Sequence, residues 1–243
     1  LDSVTTGNNN IGIGYQAGHT ITTGSANTAI GTETLITMTT GHNNTAVGVA
    51  ALRGQTNGGY STAVGNYSGY HNNGTTGYNT LIGAHAGFGV SGGSTTASYV
   101  TAVGESAARS ITTANLTTAL GYAAGYDLTS GTQNTFVGAY TGANITSAPS
   151  NTAIGYYALA TDTQGRDTVA IGVTSLQQQN FSSSTYSNNV AVGGSTGYSN
   201  TTGAQNTFIG SRAGFSNTTG QRNTFIGNHA GYDVTTASYN TFV

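Results

Sequence analysis

The chain of 243 residues has no cysteine, no tryptophan, one proline and one methionine. Only 5% of it is charged, against about 25% in an ordinary soluble domain. Without cysteine there is no disulfide frame, and redox compartment cannot be read from the sequence. Five basic side chains and a formal net charge of −2 are too little to neutralise a phosphate backbone, which argues against nucleic acid as a partner. The same shortage leaves no polybasic patch for an anionic membrane surface. No apolar run approaches the length of a membrane-spanning helix, so no membrane insertion of this segment is expected. The start, Leu1-Asp2-Ser3, lacks the basic-then-apolar character of a signal peptide. Disorder is a common state for polar, Gly-rich chains, but it goes with high net charge and few β-branched or aromatic residues. Here Val, Ile, Thr and Tyr are plentiful and net charge is small, so regular structure is expected.

What is present is a repeat. The unit is Asn-Thr-(Ala/Phe)-(Ile/Val)-Gly, and its anchor glycine recurs from Gly14, Gly31 and Gly48 through to Gly193, Gly210 and Gly227. The spacing is 17 residues, except for one interval of 18 (Gly65 to Gly83) and two of 21 (Gly83 to Gly104, Gly172 to Gly193). A fourteenth copy begins at Asn240. The residue before the anchor is Ile, Val or Leu in every copy, and Ala, Ser or Thr stands three residues after it. A second glycine often follows ten residues on (Gly24, Gly41, Gly58, Gly131, Gly165, Gly203, Gly220); after polar Thr/Asn/Ser runs it suggests a turn with positive φ. Each unit then reads as a five-residue strand, a bend, a short second strand and a polar turn. A helical repeat needs a longer unit and fewer Gly, Asn and β-branched residues. The fold expected is therefore all-β: a parallel β-solenoid of about 14 coils over residues 1–243, one repeat per coil, coils stacked about 4.8 Å apart. The repeats begin by Asn10 and the last copy stops mid-strand, so the chain is expected to be a segment of a longer fibre. The recurrent Asn before the strand either forms an amide ladder along the axis or favours the preceding turn.

Strand side chains alternate between faces. The Ile/Val position is apolar in every copy and is expected to line the coil interior, together with the Thr beside it. The opposite face carries Ala, and in places Leu81, Phe136, Phe208, Phe225 and Phe242. Such an outward apolar column suggests a surface awaiting a partner. Ordering each residue costs about 1–2 kcal/mol, and a thin rod gains by covering that column, so a homotrimer is expected with these five residues at the interface. The alternative is that the Ala/Phe column packs under the second strand of its own coil.

Val169-Ala170-Ile171-Gly172 and Asn189-Val190-Ala191-Val192-Gly193 resemble the Ser-Val-Ala-Ile-Gly repeats of YadA-like trimeric autotransporter adhesin heads. The longer stretch from Asn206 to Gly227 is similar to repeats of tail-fibre-type proteins. The resemblance covers nearly the whole chain. It implies left-handed, trimeric, extracellular fibres at a cell or virion surface that attach to a host or other surface. The 17-residue period departs from the shorter unit of autotransporter heads.

No enzyme site, cofactor or metal is expected. Asp162 and Asp167 lie in one turn and read as solvated turn residues, with too few nearby oxygen ligands for calcium. The five histidines, among them His85 and His229 at one repeat position, form no ligand pair. The Gly-x-Gly fragments are repeat turns with no helix after them. Eight Asn-x-Ser/Thr sequons, among them Asn73, Asn200 and Asn217, arise readily in such a composition.

Irregular coils are the candidates for recognition, because insertions in solenoids map to loops that often bind. The long coils at 83–103 and 172–192 carry extra polar residues with aromatics, in the segments Phe88–Tyr99 and Gln177–Asn188. Phe88, Tyr99, Phe181 and Tyr186, and from the 18-residue coil Tyr70, His71 and Tyr78, are candidate contacts for a cell-surface glycan or protein receptor. Aromatics also recur five residues after the anchor (Tyr70, Phe88, Tyr126, Tyr198, Phe215, Tyr232), a column that reads better as a stiffening stack than as a ligand groove. The leading function is a structural and adhesive extracellular fibre. Its rivals are a spacer without ligand and an ice-binding solenoid, resembling Thr-rich ice binders. The second of these is disfavoured by an inward Thr column.

Overall fold

The computed structural model describes residues 1–72, 77–90 and 95–243. The sequon at Asn73, and residues 91–94 of the segment Phe88–Tyr99, lie outside the described residues. The chain winds as a parallel β-solenoid of about 13 turns with a repeat of about 17 residues, and no helix occurs among the described residues. It divides into two compact units, Leu1–Tyr122 and Ala123–Val243.

The first unit holds β1 (Ile11–Ile13), β2 (Thr28–Ile30), β3 (Thr45–Val47), β4 (Thr62–Val64), β5 (Thr80–Ile82), β6 (Thr101–Val103) and β7 (Thr118–Leu120). Each pairs in parallel with the next at the repeat spacing, so Thr28 stands beside Thr45, Ala29 beside Ala46 and Ile30 beside Val47. The second unit holds β8 (Thr135–Val137), β9 (Thr152–Ile154), β10 (Gly165–Arg166), β11 (Val169–Ile171), β12 (Thr185–Tyr186), β13 (Val190–Val192), β14 (Thr207–Ile209), β15 (Thr224–Ile226) and β16 (Thr241–Phe242). Here the pair β10–β12 is separate from the main sheet. The long intervals leave the register intact: Thr62 pairs with Thr80, Thr80 with Thr101, and Val169 with Val190. The strands have three residues rather than five, and the regular coil contains turns where a second strand was expected.

The turns have a recurrent backbone. The anchor glycine is strained for any other residue: Gly104 has φ +131°, and a Cβ there would stand 2.5 Å from the Gly121 carbonyl oxygen. Two residues later the backbone is left-handed even where the residue is Glu33, Tyr67 or His85 (φ 56°, 57° and 56°). Each of these N–H groups donates to the coil before, His85 to the Asn66 carbonyl at 2.9 Å for example, so the local cost of about 1–3 kcal/mol is offset by a bond that recurs at Ala50, Ser106, Thr174 and Arg212.

The second glycine exists for a different reason from the one expected. Gly24, Gly203 and Gly220 are not in the positive-φ region. A Cβ on any of them would collide with the carbonyl oxygen of the same position in the next coil. In addition Asn200 and Asn217 fold back to donate to the Gly203 and Gly220 carbonyls, at 3.0 and 3.2 Å. Ala148 and Ala237 take this position in two coils, whereas Gly24, Gly41 and Gly131 keep glycine after Ile21, Met38 and Leu128.

The largest correction concerns which face is inside. The middle strand residue is buried: Ala29, Ala46, Leu81, Phe136, Phe208 and Phe225 are at most 2% exposed. The flanking Thr and Ile/Val point outward, with Val64, Ile82, Ile154, Ile209 and Ile226 each 37–39% exposed. The expected trimer interface at Leu81, Phe136, Phe208 and Phe225 therefore has no free surface, and Phe242, though half-exposed, stacks on Phe225 in the same interior column at 5.0 Å. The cause is the asparagine two residues earlier, on the same face as the middle residue. Asn206 Oδ1 accepts from the Asn223 N–H at 2.9 Å, and its Nδ2 donates to the Gly220 carbonyl at 2.8 Å. The same pair of bonds recurs at Asn27, Asn151 and Asn189. These carboxamides bridge coils only from inside, and alternation then places the Ala/Phe residue inside and Thr and Ile/Val outside. Some amides also bond one another, as Asn44 Nδ2 does to Asn27 Oδ1 at 3.0 Å.

Interior volume is shared between the middle strand residue and the residue four after the anchor. Where the strand has Ala on both sides of a layer, that residue is Leu35, Leu52, Leu159 or Leu176, and in one coil Ala108. Where the strand has Phe or Leu, it is glycine: a Cβ on Gly142 would stand 2.5 Å from the Phe136 ring, on Gly197 2.8 Å from Phe208, and on Gly69 2.8 Å from Leu81. Leu1 takes the same role over Gly12 and Gly18. Phe136→Ala should cost about 3–5 kcal/mol, and Gly142→Leu alone should destabilise by about 1–3 kcal/mol through overpacking. The double variant recreates the Ala29/Leu35 layer and should recover more than half of the Phe136→Ala loss. Urea unfolding of all three checks this; equal stability of the double and the worse single variant would refute volume sharing.

Candidate functional site

The outer surface carries two aromatic columns in the first unit. Five residues after the anchor, four successive coils present Arg53, Tyr70, Phe88 and Arg109. The Tyr70 and Phe88 rings stack at 5.3 Å, nearly parallel, and a guanidinium lies over each outer face, at 5.4 Å for Arg53 and 5.2 Å for Arg109. Arg53 also pairs with Glu33 at 2.9 Å, and that hydrogen bond raises its pKa. His71 sits edge-on to both rings; burial, then the Arg53 charge, lowers its pKa from the ordinary value. Tyr67 stacks on His85 at 5.6 Å beside them. Tyr70, His71 and Phe88, named from the sequence as candidate contacts of two different coils, thus lie together, with their faces spent on one another. In the second unit Tyr198, Phe215 and Tyr232 continue the motif, stacked at 5.3 and 5.1 Å. The column five residues after the anchor is a stack within the coil surface.

The second column stands five residues before the anchor. Tyr60, Tyr78 and Tyr99 stack at 5.1 and 5.2 Å, within 7° of parallel, and each is more than half exposed. Gly59 and Gly77, one residue earlier, leave a floor without side chains beside this ridge. The resulting groove has a volume of about 370 Å³ and is rimmed by His42, Asn57 and Ser98. Tyr78 and Tyr99 were expected contacts; Tyr60 was missed because its own coil has the regular length, although its repeat position is the same. Gly77 has a packing reason too, since a Cβ there would collide with the Gly59 carbonyl oxygen.

The second long coil departs from expectation. Phe181 is a core residue, 6% exposed, with its ring 2.7 Å from where a Gly165 Cβ would stand, so it is withdrawn from any ligand. Tyr186 is exposed on β12, beneath the Arg166 guanidinium at 4.3 Å. Asp162 is fully buried rather than solvated. Its Oδ1 accepts from the Gly165 and Phe181 N–H groups at 3.0 and 3.1 Å, and its Oδ2 from Gln179 Nε2 at 2.6 Å. Gln179 in turn accepts from Asn189 at 2.8 Å. The carboxylate organises the inserted loop from within, which is why Phe181 turns inward. Asp167 is half-buried, 3.7 Å from Arg166. Among the described residues no three His, Cys, Asp or Glu side chains are grouped to hold a metal, and no helix is long and apolar enough to cross a membrane. Asn200 and Asn217 are buried, which removes those sequons from any glycan-transferring enzyme acting on the folded chain.

The third feature is the outward face of the main sheet. In the first unit Thr28, Thr45, Thr62, Thr80, Thr101 and Thr118 form one column, and Ile30, Val47, Val64, Ile82, Val103 and Leu120 a second beside it. In the second unit Val169 and Val190 interrupt the Thr column. Beyond the bend at the anchor, Tyr15, Val49, Tyr122, Tyr156 and Val173 are also exposed. No protein-family description, curated protein or solved structure matches this chain.

Replacing Asp162 by Ala leaves the buried Gly165 and Phe181 N–H groups without an acceptor and Gln179 Nε2 with only the Thr168 hydroxyl, and should cost about 3 kcal/mol or more. Asp167→Ala, at a half-buried site, should stay within about 0.5 kcal/mol. Thermal unfolding of the two variants tests this, and similar losses would contradict the organising role of Asp162.

Proposed function

We propose that this chain is part of a structural and adhesive extracellular fibre in which copies associate as a homotrimer through the outward Thr and Ile/Val columns. The observation that carries the reading is the Ile/Val column itself: an aliphatic side chain at each three-residue strand of the main sheet, in register, on the solvent side. A continuous apolar strip of this kind marks an association surface on a soluble protein. Beyond the bend at the anchor glycine, Val49 and Tyr122 in the first unit and Tyr156 and Val173 in the second add separate exposed apolar side chains, with Asn66, Ala84 and Glu105 between the first two. Around a threefold axis the Ile/Val strip of each copy is covered by its neighbours. The resemblance of the repeats to trimeric adhesin heads supports the same arrangement, the left-handed winding and the surface location. The reading assigns no catalysis, cofactor or metal to the chain, and attachment is to a surface glycan or protein. A spacer without ligand is the same fibre with no occupant on its aromatic surfaces.

One observation favours a second reading. The Thr column points outward, not inward, so the argument against ice binding from its orientation falls away. Six successive Thr in register on a parallel sheet form the ladder expected of an ice-binding face. Against it stand the aliphatic column alongside and the Val169 and Val190 interruptions, which suit burial better than ordered water.

Sedimentation equilibrium of the chain should give a trimer. Val64→Lys/Ile82→Lys should give a monomer with unchanged far-ultraviolet circular dichroism. A wild-type monomer at micromolar concentration would sink the assembly. Inhibition of ice recrystallisation by wild type, lost on Thr62→Tyr/Thr80→Tyr, would move the reading to ice binding.

A further inference from the structure

We propose that the groove beside Tyr60, Tyr78 and Tyr99 binds a neutral, extended oligosaccharide, one saccharide unit to each coil. The inference deepens the attachment reading and rests on it for biological meaning, though not for its geometry. The groove, at about 370 Å³, is of the size that holds a small ligand. Its ridge is made of tyrosines stacked face on face, which present their exposed ring edges and hydroxyls to a ligand that itself alternates C–H patches and hydroxyls. The stack repeats at 5.1 and 5.2 Å, close to the advance of one pyranose along an equatorially linked chain. A linear glycan of that kind stays in step with successive coils.

The rim is oriented for hydroxyl and ether oxygens. His42 Nδ1 accepts from the Ser25 N–H at 3.0 Å, which leaves Nε2–H as an exposed donor. Asn57 Oδ1 accepts from the Thr39 and Thr40 hydroxyls at 2.8 and 3.0 Å, which leaves its Nδ2 group as the outward donor. Both side chains thus have their acceptors committed to the protein and their donors available at the rim. No Asp, Glu, Lys or Arg lines the groove, so nothing in it selects a charged ligand. Two other exposed tyrosines differ: Tyr186 lies under Arg166, and Tyr239, at the same repeat position as Tyr60, lies under Arg222, to which it also bonds.

The test uses the assembled wild-type chain, titrated calorimetrically and by saturation-transfer NMR with three tetrasaccharides. These are a β-1,4-glucan, a β-1,4-linked N-acetylglucosamine tetramer and, as the control of linkage geometry, an α-1,4-glucan. At least one β-linked tetramer should bind and the α-linked one should not. Tyr78→Ala should weaken binding about tenfold, and His42→Ala/Asn57→Ala should weaken it at least as much. Tyr239→Ala should leave it unchanged. Failure of wild type to bind any β-linked probe, equal binding by Tyr78→Ala, or equal loss in Tyr239→Ala would overturn the proposal. Sedimentation of the same samples separates the two readings. An intact trimer that binds no saccharide removes the groove alone, whereas a monomer that binds removes the fibre assembly and leaves the groove.

Discussion

Each unit depends on one constraint: the backbone of a coil is hydrogen-bonded to the same positions one repeat away. The strand N–H groups, the left-handed turn residues and the interior asparagines all reach to the adjacent coil rather than across their own. Such a structure is close to translation-symmetric, so every side chain meets its own counterpart about 4.8 Å above and below. That favours residues that gain from self-stacking, namely Asn, Thr, aliphatic and aromatic side chains. It disfavours charge, because like charges at this distance repel by about 1 kcal/mol even in water. The 5% charged composition follows from the geometry. The same rule explains where the arginines go: Arg53, Arg109, Arg166 and Arg222 each lie over an aromatic ring of an adjoining coil, a column in which a cation is followed by a π-face and not by another cation.

Stacking also explains how a narrow interior is filled. Between the strand and the residue four after the anchor, a layer takes one large group, supplied by the strand or by the turn, while other buried side chains such as Met38, Leu128 and Ile145 fill the interior further along the coil. Phe136 between Gly125 and Gly142, and Phe208 between Gly197 and Gly214, are one solution; Leu159 and Leu176 with Ala153 and Ala170 are the other. Because a turn side chain lies between two layers, the glycine is set by the strand residue of its own coil or of the next. Gly69 accordingly follows Ala63 but precedes Leu81. Composition alone hides this dependence, since glycine there reads as a turn former.

The period, the strand positions, the retention of register through the long coils and the stacked aromatic column were all legible in the sequence, because each is a statement about repetition. The facing of the strand was not. Uniform aliphatic character pointed to Ile/Val as interior, and a sheet with one solvated face normally works that way. Here the polar Asn is the residue that must be inside, and alternation carries Ala or Phe in with it. The ten-residue glycine was located correctly and explained wrongly, since close approach of carbonyls, not φ, excludes a side chain at Gly24 or Gly220. Phe181 and Asp162 were misplaced for a related reason. An inserted loop has no repeating neighbour, so it builds its own interior around the Asp162 carboxylate.

A regular stack has no means of making one coil different from the next, so a discrete site has to arise where the repeat is broken. The Tyr60, Tyr78 and Tyr99 column shows how. The coils that carry it are separated by intervals of 18 and 21 residues, yet Thr62, Thr80 and Thr101 remain paired, and so the tyrosine rings stay at stacking distance. What changes is the neighbouring position, where Gly59 and Gly77 replace the Ser, Asn or Thr found in several other coils. Loss of two side chains in adjoining coils opens a groove without disturbing the ladder that supports its wall. Rigidity and local individuality are thereby carried by different positions of the same repeat, and a wall preorganised by ring stacking loses little conformational freedom when a ligand lies against it.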